Sequence, residues 1–380
     1  MSIANKKTIL LITKGLPATD RRCWSGIPFS IRNQMEKEYN VFDYCINRKA
    51  SIIALVKTFI YRKCLKSFLS IQLLKSFAKK EAKNVDKLIE KTNCDCVLTT
   101  GVTSAGAIAF SQSKVPIVFF SDCVVENMFD YYWFNVRKPI EHEMNDVLKM
   151  ALKKSTSIVM TSNWAKQGTI DYYGIPEKKI SVFPMGANLE VDDFHHEKHD
   201  GINLLFVGVD WERKGANVAI DCVSELNKMD TTQKYTLHLV GCNPPVEISN
   251  SNVKLYGFLN RNNPQERDLL DELRANADFF ILPTKAECAG IVFCEAAAYG
   301  LPSITYDTGG VGDYVINDFN GYRLPLGSDG ASFAQKILEY VNDNDKVSQM
   351  KENARKLYES ELNWNSTGEK LRSLIFELIQ

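Results

Sequence analysis

Residues 279–321, FFILPTKAECAGIVFCEAAAYGLPSITYDTGGVGDYVINDFNG, restrict the fold more than any other stretch of the chain. Phe279–Leu282 is an apolar run stopped by Pro283, the pattern of a buried strand bounded by a breaker. Ile291–Tyr299 reads as a short apolar helix, with Gly300 just past its end and Pro302 after the stop. Leu301–Tyr306 is a second buried strand, closed by Gly309-Gly310. Strand, glycine loop, helix and strand make one βαβ unit. Its loop and helix N-terminus face the carboxyl ends of the strands, where open α/β sheets bind ligands. Backbone N–H groups freed at Gly290 suit a phosphate there.

Two glutamates, Glu287 in the loop and Glu295 on the helix, are separated by seven residues. Were both helical they would stand about 12 Å apart. Carboxylates straddling an anion site can accept from hydroxyls at both ends of an extended ligand, such as a sugar joined through a diphosphate to a ribose. The plain alternative is a solvated helix residue and an idle loop carboxylate. The spacing alone does not decide between them.

The wider pattern resembles the C-terminal donor site of retaining glycosyltransferases of family 4. It runs Glu287-x7-Glu295-Ala-Ala-Ala-Tyr-Gly-Leu-Pro302, then Asp307-Thr-Gly-Gly310 and Asn320-Gly321. The family's usual Glu-Gly-Phe-Gly is here Glu287-Cys288-Ala289-Gly290. Further matches are Ser162 to Lys166, Tyr173-Gly174-Ile175-Pro176 and Lys214-Gly215. The resemblance is strong from about Asn145 to Trp364 and thin before Pro116. It implies an α/β chain of GT-B fold, with two Rossmann-like domains facing across a cleft. The first domain is expected over 1–188, with helix 365–380 crossing back onto it. A linker is expected over 189–201, and the donor-binding domain over 202–364. The 380-residue length suits two domains, and the 45% apolar fraction suffices for two cores.

The resemblance also assigns roles. Glu287 is expected to hold the donor sugar and Glu295 the ribose. Ala289, Gly290, Ile291 and Val292 are expected to meet the donor through the backbone, and Gly257 and Phe258 to back its base. Arg213 and Lys214 lie in a strand-to-helix loop, where paired cations suit a diphosphate leaving group. Gly26 follows the first strand, Thr8–Thr13, and precedes a helix over Phe29–Glu38, where it would touch donor phosphates or acceptor. Asp122 ends the strand Pro116–Phe120 and aligns with a reaction-centre position; capping the next helix is the competing role. The expected reaction is retaining hexosyl transfer from a nucleotide-diphosphate sugar to a saccharide acceptor, without metal or other cofactor. A nucleotide-sugar 2-epimerase of the same fold and a catalytically silent partner subunit are the alternatives.

Charge is balanced, 46 basic residues against 46 acidic, so no nucleic-acid partner is expected. No apolar run approaches a membrane span, and the N-terminus is too short and strand-like for a signal peptide. The ten scattered cysteines read as buried thiols in a reducing cytoplasm. Cys94-Asp-Cys96 has no second pair, and His195, His196 and His199 sit in the polar linker, so neither group reads as a metal site. One region breaks the balance. From Ile46 to Lys83, ten basic residues face one acid, Glu81, and apolar residues interleave with them. This reads either as basic amphipathic helices lying on anionic lipid, as a lipid-linked acceptor would suit, or as a solvated face on the N-terminal sheet.

Overall fold

The computed structural model describes residues 6–46, 52–189, 191 and 199–380. Arg48, Lys49, His195, His196 and most of the expected linker lie outside the described residues. The chain divides into two compact units, Met1–Met185 with Trp364–Gln380, and Gly186–Asn363.

The first unit is built on β1 (Thr8–Lys14), β2 (Asn40–Ile46), β3 (Cys96–Thr100), β4 (Ile117–Ser121), β5 (Ser157–Met160) and β6 (Ile180–Val182). All pair in parallel in the order β2-β1-β3-β4-β5-β6. β3, β4 and β5 are buried along their whole length, as their near-continuous apolar runs require of a sheet covered on both faces. Strand order reverses between β1 and β3, which makes a topological switch point there. The helix after β1 starts earlier than expected, at Ile27, because Pro28 fits its first turn. After β3 the chain forms a 3-10 turn, Val102–Ala107. Gly106 there lies so close to the Gln72 carbonyl that a Cβ would come within 2.1 Å of its oxygen.

The basic stretch also differs from long amphipathic helices. It forms a short helix, Ile52–Thr58, a wide π-type turn, Phe59–Cys64, a 3-10 turn, Ile71–Leu73, and one long helix, Lys75–Thr92. Only the last shows a regular buried stripe, Phe77, Ala78, Glu81, Ala82, Val85 and Ile89.

The second unit holds β7 (Ile202–Val207), β8 (Tyr235–Val240), β9 (Val253–Gly257), β10 (Phe279–Leu282), β11 (Ser303–Tyr306) and β12 (Gly321–Leu324). Their order is β12-β11-β10-β7-β8-β9, again all parallel. β7 and β10 are adjacent, with Phe279 opposite Leu204 and Phe280 opposite Leu205. The order reverses between these two strands, so the crevice that this topology provides lies at their carboxyl ends. The helix after β10 spans Ile291–Ala298, and Gly300 takes the left-handed conformation just beyond it, with φ 62°.

The C-terminal helix, Trp364–Leu378, returns to the first unit and packs on Ile27–Glu36. Gly368 gives the room, because a Cβ there would meet the Gln34 side chain at 2.6 Å. The Arg372 guanidinium donates to the Gln34 carbonyl at 3.2 Å, to Gln34 Oε1 at 2.9 Å and to Glu38 at 2.8 Å. Leu371 and Ile375 are fully buried beneath. Leu371→Ala is therefore expected to cost about 2–5 kcal/mol of stability. A change at exposed Glu369 of the same helix should stay within about 0.5 kcal/mol. Urea unfolding of the two variants checks the pair.

Candidate functional site

The site in the second unit forms where the loops after β7 and β10 meet. β7 is followed by a single helical turn, Trp211–Lys214, capped by Asp210, whose carboxylate accepts from the Arg213 N–H at 3.0 Å. Gly215 ends the turn at φ 75°, and a Cβ there would come within 2.1 Å of the Pro283 carbonyl oxygen. Glycine at this position thus lets the two loops lie against each other. Lys285 N–H donates to the Arg213 carbonyl at 2.8 Å, and the Arg213 guanidinium donates to the Ala286 carbonyl at 3.1 Å. The Arg213 side chain also pairs with Asp210 at 3.4 Å. Arg213 therefore straps the two loops together.

Lys214 is buried and its ammonium contacts the Glu287 carboxylate. These two residues, expected from sequence to act at neighbouring points of one ligand, lie in direct contact. A third loop braces them. Gly310 N–H donates to the Glu287 carbonyl at 3.0 Å, and Thr308 Oγ1 donates to the Lys285 carbonyl at 3.2 Å. The Gly-Gly after β11 is thus the underside of the glutamate loop.

Gly290 caps the next helix at φ 110°, a left-handed conformation in which a Cβ would strike the Phe293 ring at 2.5 Å. As the cap residue, Gly290 brings no side chain to accept from the first turn. The N–H groups around Gly290, Ile291 and Val292 thus begin a helix without a protein anion at its cap, the setting that favours a bound phosphate. Ala289 is buried behind them and the Ile291 and Val292 side chains are half-buried.

Glu295 lies one turn further on and is 5% exposed, so the solvated-helix reading of this residue does not hold. A carboxylate in so apolar a helix needs partners. Arg274, 3% exposed, donates to Oε2 at 2.7 Å, and the half-buried Arg261 donates to Oε1 at 2.8 Å. Arg274 also holds Asp271 at 2.9 Å. Burial, and then the Glu295 charge, push the adjacent Cys294 thiol well above its ordinary range, which leaves it a neutral packing group. The two arginines were not singled out from sequence. The signal for Arg274 is its place four residues after Leu270 on the buried stripe of helix Pro264–Ala275. Arg261, in the loop after β9, gives no such signal.

Gly257 ends β9 at φ 64° beside an irregularity in the β8–β9 register, and its carbonyl accepts from Gly241 N–H at 2.7 Å. Phe258, next in the chain, is exposed. Gly26 and Asp122 belong to the other unit. Gly26 follows β1 and caps helix Ile27–Glu36 at φ 84°, again without a side-chain acceptor. Trp24 and Ser25 before it are also left-handed, at φ 40° and 56°. Such backbone is costly for residues with a side chain, by roughly 1–2 kcal/mol each. Trp24 is held there by an edge-on contact with Phe120 of β4. Asp122 is half-buried at the carboxyl end of β4. The helix that follows, Val125–Met128, has Val124 at its cap position, two residues after Asp122. Among the described residues no cluster of three or more His, Cys, Asp or Glu could hold a metal ion.

A family model of glycosyl transferases group 1 matches residues 190–357, and one of glycosyltransferase family 4 matches residues 47–191. An uncharacterised glycosyltransferase of Methanocaldococcus jannaschii is 25% identical over 60% of this chain, and the match spans 62% of that relative. An Escherichia coli UDP-Gal:α-D-GlcNAc-diphosphoundecaprenol α-1,3-galactosyltransferase is 24% identical over 77% of this chain and 78% of its own. Among solved structures, sucrose-phosphate synthase of Thermosynechococcus elongatus superposes with a TM-score of 0.68 over 98% of this chain and 99% of its own, at 16% identity.

The Glu295 pair makes a stability prediction. Arg274→Met removes one partner of a buried carboxylate and is expected to cost about 3–5 kcal/mol. Arg274→Met with Glu295→Leu should recover most of that loss in urea unfolding. A double variant no more stable than the single one would show that the ion pair is not what Arg274 supplies.

Proposed function

The chain belongs to the family 4 glycosyltransferases, of GT-B fold, and we propose that it transfers a hexosyl unit, with retention, from a nucleotide-diphosphate sugar to a saccharide acceptor. The observation that carries this reading is the Lys214–Glu287 contact beside the glycine-capped helix start at Gly290, on the switch point between β7 and β10. The diphosphate would take the N–H groups of Gly290, Ile291 and Val292 and the charges of Lys214 and Arg213. Glu287, next to Lys214, would accept from hydroxyls of the donor sugar. Glu295 would accept from the ribose. Its two oxygens each hold one arginine, and a carboxylate offers about four acceptor sites, so capacity remains for a ribose hydroxyl. Exposed Phe258 and the Gly257 backbone would back the base.

Bond cleavage at the anomeric carbon sends charge onto the departing diphosphate. Fixed cations and helix N–H groups meet that charge as it grows, which is why they act mainly in the transition state. We assign no metal to this step, because Lys214, Arg213 and the helix start supply the positive charge. The acceptor would attack on the face from which the diphosphate leaves, with a diphosphate oxygen taking its proton. Positioning then does the work that a protein nucleophile would otherwise do. The Escherichia coli relative is named for an acceptor carried on diphosphoundecaprenol, which supports a lipid-linked acceptor here too, and with it a peripheral enzyme of the cytoplasmic leaflet making surface polysaccharide or glycolipid. Gly26 and Asp122, in the N-terminal unit, would serve the acceptor side.

A thermal-shift screen of nucleoside diphosphates and their sugars identifies the donor, since a bound ligand raises apparent stability by mass action. With that donor, Lys214→Ala is expected to lower turnover about 10²–10³-fold, with a smaller effect on nucleoside diphosphate affinity. Near-normal turnover would overturn the diphosphate assignment. Glu295→Ala should instead weaken nucleoside diphosphate binding by about tenfold, as lost uniform binding does. Activity should survive EDTA. A loss that Mg²⁺ or Mn²⁺ restores would overturn the metal-free mechanism.

A further inference from the structure

The short helix Ile52–Thr58 and the π-type turn Phe59–Cys64 bury a single residue between them, Ala54. Ile52 is 81% exposed, Phe59 63% and Ile53 62%, and Leu55, Val56, Ile60 and Leu65 are exposed beside them. The other exposed large apolar side chains among the described residues are spread singly or in twos along the chain. A cluster of this density is not ordinary surface and marks a contact.

The segment is held firmly from below. Lys57 Nζ pairs with Glu143 at 2.5 Å, and the other Glu143 oxygen accepts from Lys75 N–H at 3.0 Å. Arg62 Nε donates to the Leu69 carbonyl at 3.2 Å, and Ser67 N–H to that of Tyr61 at 2.8 Å. These anchors also use up part of the basic charge of the stretch. Lys57 is neutralised by Glu143 and Lys75 by Asp146. Exposed cations remain next to the apolar cluster at Arg62, Lys63 and Lys66. No acid occurs between Ile52 and Lys80.

We infer that residues 52–66 are a membrane-docking element that inserts its apolar side chains into an anionic bilayer surface, with the cations beside them engaging lipid headgroups. Apolar side chains bordered by cations, with acids missing, match the interfacial zone, where the one sits at the acyl boundary and the other reaches the headgroups. A second copy of the chain fits worse, since a symmetric contact would bring two sets of cations into one interface with no acid of the segment to meet them. The helix is far too short to cross a bilayer, and no described helix is long and apolar enough to do so. The inference deepens the proposed function, because it rests on the lipid-linked acceptor for its purpose, but the surface can be tested separately. It also replaces attraction of charge alone by insertion, which salt does not abolish.

The test is sedimentation with vesicles of phosphatidylcholine alone and of phosphatidylcholine with phosphatidylglycerol, across a salt series. Wild type should bind the anionic vesicles and keep part of that binding at high salt. Ile53→Asp with Phe59→Asp should lose at least tenfold in affinity at every salt concentration, with an unchanged melting temperature. Lys63→Glu with Lys66→Glu should lose only the salt-sensitive part. Binding by the Asp variant equal to wild type, or no binding of wild type to either vesicle, overturns the inference. So does lipid-free self-association of wild type that the Asp variant abolishes, which would give the surface to a second copy. Nucleoside diphosphate thermal shifts separate the two readings: vesicle binding without any such shift would count against the proposed transferase while the docking surface stood. An Asp variant that loses vesicles but keeps its shift supports both.

Discussion

The contact between Lys214 and Glu287 depends on two loops that are 73 residues apart in sequence lying one on the other. That approach is possible because β7 and β10 are neighbours in a sheet whose order reverses between them, and because Gly215 has no Cβ to strike Pro283. Removing the Glu287 carboxylate would leave the buried Lys214 ammonium without it, which costs far more than the pair contributes to stability. The arrangement is better understood as positioning. It fixes a cation and a carboxylate at the mouth of a helix whose first N–H groups have no cap of their own.

The same logic applies deeper in the unit. Glu295 stands in a helix otherwise made of apolar and small residues, and Arg274 and Arg261 surround its carboxylate. Arg274 is as buried as the carboxylate it holds and fixes it from behind. Arg261, on the other oxygen, is partly open to solvent. A buried carboxylate held on both oxygens by arginines is fixed in place, since a low-dielectric surrounding makes each of those hydrogen bonds costly to break.

The N-terminal unit places its unusual backbone and its unusual surface in different regions. Trp24, Ser25 and Gly26 turn the chain left-handed after β1, against the edge of Phe120. Strain held in place by packing is common at ligand-facing loops. Away from that loop, the segment after β2 directs its apolar side chains outward from a base pinned by Glu143. The unit therefore carries two features that a well-packed core does not explain.

The amino-acid sequence by itself determined most of the elements and where the candidate site residues stand on them. Fully buried parallel strands write themselves as short apolar runs between breakers, and β10, the helix after Gly290 and β11 follow directly from that local pattern. The order Glu287, Gly290, Glu295 is likewise local, so the two carboxylates and the helix start between them were legible together. Tertiary structure alone decided who meets whom. Whether Lys214 touches Glu287, whether Arg274 and Arg261 close around Glu295, and whether Arg213 straps two loops all depend on strand order, which no local period records. Tertiary structure also decided exposure. Ile52, Ile53 and Phe59 carry the same apolar signature as core residues such as Phe77, and only the fold decides that the first three stand exposed and Phe77 is buried.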